Sequence, residues 1–232
     1  MTAAAIVADL RIEPDPAEVR RFLGYTPGRV VPERTEERLA ALWTPAQALL
    51  RPRGAWALVG RDDAARAGMP EPTEVVGVAV CTVGDGLENE AARCVEAGAL
   101  HDALLLEAIG STAAEAAADA LNLRLCTVAA VRGLDAAPRV SPGYGGWDTA
   151  GQDALLALLP IAALGIALTS GSMMVPRKSV SFAAGLATPG RLVLDLDADG
   201  REDGEGVGDD RLDLLAGEQL QSWSDGIHRG SS

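Results

Sequence analysis

The run Val75-Val-Gly-Val-Ala-Val-Cys-Thr-Val83 constrains the fold most. It is β-branched and uncharged over nine positions, which predicts a buried strand. Gly84-Asp85-Gly86 then turns the chain, Leu87 to Ala97 reads as a helix, and Gly98 breaks it. The longest predicted helix spans Asp102 to Leu121, with Leu104, Leu105, Ala108, Ile109, Thr112, Ala116 and Ala120 along its apolar face. Its small residues from Gly110 onward let another element pack close. Glu115 sits among them, either solvated or facing a pocket that its alanine neighbours open.

Around this centre the spacing predicts helices over Pro16 to Leu23, capped by Asp15 and ended by Gly24, and over Arg34 to Leu50. Ala55 to Val59, Leu123 to Val131 and Leu192 to Leu196 read as strands. Arg61 to Thr73 reads as a polar loop, Gln152 to Leu164 as a helix, and Met173 to Leu186 alternates loosely. The uncharged run from Ala154 to Pro176 is not read as a membrane span, because Pro160, Gly165, Gly171 and Thr169-Ser-Gly-Ser172 interrupt it. The organisation expected is 1–72 as an N-terminal helical segment with the first strand, 73–194 as a binding core, and 195–232 as an acidic hairpin and tail. Together they are expected to form one compact domain.

Charge and composition exclude several functions. A net charge of −13 repels nucleic acid and anionic lipid and favours a cationic ligand. Lysine occurs once, at Lys178, and alanine is abundant, a bias that reads as a GC-rich bacterial genome. Cys81, Cys94 and Cys126 lie far apart, and His101 and His228 are the two histidines, so no metal site is expected. The odd cysteine count and the absence of a basic leader point to a reducing cytoplasm. Asp195-x-Asp197-x-Asp199-Gly200 imitates the start of a calcium loop. Its twelfth position is Gly206 rather than glutamate, and a hairpin turn is the expected reading. Phosphate-loop, dinucleotide and nucleophile-elbow motifs are missing. Lys178 lies in a strand-like stretch, so pyridoxal phosphate is not expected.

The stretch with most chemistry is Arg139-Val-Ser-Pro-Gly-Tyr-Gly-Gly-Trp147. Arg139 offers a fixed fork of donors suited to a carboxylate. Pro142 stiffens the backbone, and the glycines let main chain approach a ligand. Tyr144 and Trp147 add flat amphipathic surface. An ordinary turn with an arginine on its edge is the alternative.

Three blocks together resemble the activation domain of cobalamin-dependent methionine synthase and its free-standing homologues. Leu104-Leu-Leu-Glu-Ala-Ile-Gly-Ser111, continuing to Glu115, is similar to that family's long helix. Arg139-x-x-x-Gly143-Tyr144 is similar to its S-adenosylmethionine motif. Gly165-Ile-Ala-Leu-Thr169 with Met174-Val-Pro-Arg-Lys-Ser-Val-Ser181 is similar to the segment that follows. The resemblance implies an α+β fold, a twisted, mainly antiparallel sheet with packed helices. It implies that Arg139 binds the methionine carboxylate, that Ser141 and Gly143 offer main chain to the adenosine, and that Tyr144 contacts the methionine moiety, with Glu115 nearby. Ser111, Lys178 and Trp147 complete the expected substrate-binding set, with Phe182 as an alternative partner for the sulfonium.

Three functions follow. Because no cobalamin-binding domain or terminal cysteine cluster is present, the first expectation is a lyase acting on S-adenosylmethionine. Loss of the Cα proton would let Cα displace methylthioadenosine from Cγ, giving 1-aminocyclopropane-1-carboxylate without pyridoxal phosphate. Tyr144 would be the base, although a phenol of pKa near 10 is ionised about one part in a thousand at neutral pH, a penalty of roughly 4 kcal/mol. Glu115 is the alternative base. The second reading is methylation of a reduced corrinoid held by a partner protein, and the third is a non-catalytic S-adenosylmethionine-binding module.

Overall fold

The computed structural model describes residues 4–26 and 28–189. The predicted strand at 192–196, the acidic stretch with its calcium-like triplet, and His228 lie outside the described residues.

Strand β1 (Ala5–Val7) is followed by helices α1 (Pro16–Phe22) and α2 (Glu33–Leu49) and strand β2 (Arg53–Gly60). A short helix α3 (Arg61–Arg66), strand β3 (Val75–Thr82) and helices α4 (Gly86–Glu96) and α5 (Leu100–Val131) come next. Strand β4 (Asp135–Ala136), helix α6 (Gly151–Leu156), a 3-10 turn (Ile161–Leu164), the hairpin β5 (Ala167–Leu168) and β6 (Met174–Val175), and strand β7 (Ser179–Ala187) complete the order. The main sheet runs β1-β2-β3-β7-β4, and every pairing in it is antiparallel. This is the expected α+β architecture, a twisted antiparallel sheet with packed helices.

The apolarity of β3 now has a cause, because both of its faces are covered. Ala79 and Cys81 pack towards α5, with Leu106, Ile109, Leu121 and Phe182. Val76, Val78 and Val80 pack on the other face, with Trp147, Leu155, Leu156 and Leu164. Ala113, Ala114, Ala117 and Ala118 are all buried at the middle of α5, where side chains this small let the helix lie close on the sheet.

Two expectations are corrected. Leu123 to Val131 is not a strand but the last third of α5. Leu121, Leu125 and Ala129 recur every fourth residue and are fully buried, so the apolar stripe continues the helix across that segment. Arg61 to Thr73 is not wholly loop, since Arg61–Arg66 forms α3, with Ala64 buried. The predicted helix over Gln152 to Leu164 breaks into α6, which ends at Leu156, and the 3-10 turn that follows Pro160. Elsewhere the local signals act as expected. The Asp15 carboxylate accepts from the Ala17 amide at 2.8 Å and caps α1, and Gly98, at φ 75°, follows α4. Among the described residues no helix is long and apolar enough to cross a membrane.

Candidate functional site

One side of α5 carries Glu107, Ser111, Glu115 and Asp119 at four-residue steps, which places them in a row along the helix. The row splits into two clusters.

The first cluster gathers on Arg139. Val140 exchanges both main-chain hydrogen bonds with Ala183 of β7, each 2.8 Å, which pins the preceding residue at the sheet edge. From there the Arg139 Nη2 donates to Glu115 Oε2 and to Asp119 Oδ1, both at 2.9 Å. The Arg139 Cζ also stands 5.6 Å from the Phe182 ring centroid, within cation–π range. Both of these hydrogen bonds leave from the one nitrogen, Nη2.

The loop beyond Arg139 closes on itself. Gly143 donates its amide to the Trp147 carbonyl at 2.6 Å, and Tyr144 donates to the Ser141 carbonyl at 3.0 Å. Gly143, Gly145 and Gly146 have φ of 94°, 56° and 77°, which only glycine adopts freely. The turn leaves Tyr144 on the rim, 73% exposed.

Between this loop, α5 and α1 lies a cleft of about 520 Å³. Glu13, Asp15 and Glu18 line it from the N-terminal side, opposite Glu115, Asp119, Arg139 and Tyr144. Phe22 and Thr112 also line it. Five carboxylates against two guanidiniums make the cleft attractive to a cation. Beneath α5, burial pushes the Cys81 thiol up to about 12, so it is no nucleophile.

The second cluster holds Lys178 and Ser111. The Lys178 Nζ lies 2.7 Å from Glu107 Oε2 and donates to Ser111 Oγ at 2.9 Å. The Arg177 Nη2 donates to Glu107 Oε1 at 2.8 Å, and the Lys178 amide to Glu88 Oε1 at 2.7 Å. Burial alone would raise the Glu107 carboxyl, but Lys178 and Arg177 together hold it below the usual carboxylate range. This cluster ties α4 and α5 to the start of β7.

The structure brings Arg139, Glu115 and Tyr144 to one cleft, with Ser141 and Gly143 in the loop beside it. It does not bring Ser111, Lys178 or Trp147 there. Trp147 is 2% exposed, and its indole donates to the Ala67 carbonyl at 2.8 Å in the core on the opposite face of the sheet. Asp119, Thr112, Phe22 and the carboxylates of Glu13, Asp15 and Glu18 also belong to the cleft, and the sequence reading does not place them there. Asp119 had a signal, since it stands four residues after Glu115 on one helix.

No family model matches the chain, and no curated protein matches it. Among solved structures it is similar to the MetH reactivation domain bound to AdoHcy, at 16% identity and a TM-score of 0.53, covering 79% of this chain and 78% of that one. The chain has the MetH reactivation-domain fold. This likeness corrects the ring-closing expectation: the solved relative in fold is a reactivation domain, not a lyase making 1-aminocyclopropane-1-carboxylate. The geometry agrees with the correction. Proton abstraction from Cα by a phenolate calls for a site that excludes water, and Tyr144 stands in solvent on the rim of an open cleft.

Proposed function

We propose that the chain is an S-adenosylmethionine-utilising protein of the reactivation-domain kind. It would bind the nucleoside in the Arg139 cleft and present its methyl group to a reduced corrinoid held by a partner. The carrying observation is Arg139, aimed by Glu115 and Asp119 into a cleft rimmed by Tyr144. A guanidinium held by two carboxylates on one nitrogen keeps the other nitrogens for a third carboxylate, that of the methionine arm. The acidic walls suit the sulfonium, whose charge disappears when the methyl leaves.

The work asked of the chain is positioning. A sulfonium is already an activated methyl donor, so holding it at an open rim supplies the main catalytic term. The cleft opens to solvent at Tyr144, which leaves room for a planar acceptor carried by another protein. Corrinoid and partner are implied by the fold likeness and the open rim together.

The test is to incubate the purified chain with S-adenosylmethionine, with and without chemically reduced cobalamin, and to analyse the nucleoside products. The reading expects S-adenosylhomocysteine only when the reduced corrinoid is present. An unchanged nucleoside under both conditions contradicts the transfer step.

A further inference from the structure

Thr112 lines the cleft with a hydroxyl that is buried and has no visible use. It is 3% exposed, and that hydroxyl has no hydrogen-bond partner among the described residues. Helical position does not explain this. Ser111 and Thr127 stand on the same helix, and each donates its hydroxyl to the carbonyl four residues back, at 3.0 and 2.9 Å. That bond is the default for a helical hydroxyl, and Thr112 does not make it. A buried hydroxyl without a partner costs free energy, and such groups are rare unless something else meets them.

The position suggests what meets it. Thr112 precedes Glu115 by three residues and Ala116 by four, so the three side chains share the face of α5 that floors the cleft. Arg139 lines the same cleft and pairs with Glu115. Threonine in a helix divides between two χ1 rotamers, so the hydroxyl has a second position available beside the cleft.

We propose that Thr112 contacts the bound ligand, its hydroxyl making a hydrogen bond to S-adenosylmethionine beside the Arg139 clamp. This rests on the binding reading above. Two variants test it by calorimetric titration with S-adenosylmethionine. Thr112→Val keeps the shape and removes the hydroxyl, and its dissociation constant rises about tenfold. Thr112→Ser keeps the hydroxyl and stays within about twofold of the parent. The ligand-free Thr112→Val protein melts at the parent temperature or above, since no unpaired hydroxyl is left. Parent binding with Thr112→Val unchanged overturns this inference alone, as does equal weakening in both variants. A parent chain that does not bind S-adenosylmethionine overturns the underlying reading and this inference with it.

Discussion

Arg139 and Glu115 meet at 2.9 Å across 24 residues of chain. One stands at the edge of β7 and the other on α5, so the contact exists only when helix and sheet are packed. The same nitrogen of Arg139 reaches Asp119 one turn further along α5. Two carboxylates a turn apart fix the plane of the guanidinium, and a fixed plane is what a fork needs to receive a third carboxylate.

Arg139→Lys keeps the charge and loses the fork. It is expected to weaken S-adenosylmethionine binding at least about thirtyfold, or ~2 kcal/mol, by calorimetry. Its melting temperature is expected to stay close to the parent's, because Glu115 and Asp119 are 48% and 70% exposed and such pairs add little stability. Unchanged affinity would remove Arg139 from the site.

Trp147→Phe leaves the Ala67 carbonyl buried without its donor. A loss of about 1–3 kcal/mol in urea unfolding is expected, with S-adenosylmethionine affinity unchanged. A selective loss of affinity at full stability would return Trp147 to the ligand.

How much of this was legible before the fold is uneven. The β3 run, the Asp15 cap and the Gly98 stop were readable because each rests on a local signal. That Arg139 and Tyr144 would stand near one another was readable because they lie in one short motif, and both line the cleft. The end of α5 was not. Thr127, Val128 and Val131 suit a strand locally, and the helix is decided by Leu121, Leu125 and Ala129 meeting the sheet. Trp147 misled for the same reason, since a flat side chain in a glycine turn serves a ligand or a core equally well until the opposite layer is known. The Lys178 cluster and the role of Glu107 depend on three separate elements converging, and no short window of sequence carries that.

Gly77 faces the Leu125 side chain, which occupies the space a methyl group would need. Gly77→Ala is therefore expected to lose about 1–3 kcal/mol in chemical unfolding through overpacking. Parent-like stability would mean that the end of α5 is not seated on β3 as described.

Acid should expose the second cluster. The Glu107 carboxyl lies below its ordinary value in the folded chain, so its contribution is complete above the unfolded value of about 4.3 and is lost as pH falls through the folded value. Asp102, held down first by its hydrogen bonds from Arg38, acts in the same direction. Glu107→Gln is expected to flatten the fall in melting temperature below about pH 5. Parallel curves for variant and parent would show that Glu107 carries no such linkage.

On the proposed reading, the cleft between α1, α5 and the Arg139 loop holds S-adenosylmethionine. Titrating the full chain with that nucleoside in a calorimeter tests it directly. One saturable site per chain is expected, with S-adenosylhomocysteine competing for it. No heat up to millimolar ligand, or heat unaffected by S-adenosylhomocysteine, would contradict it.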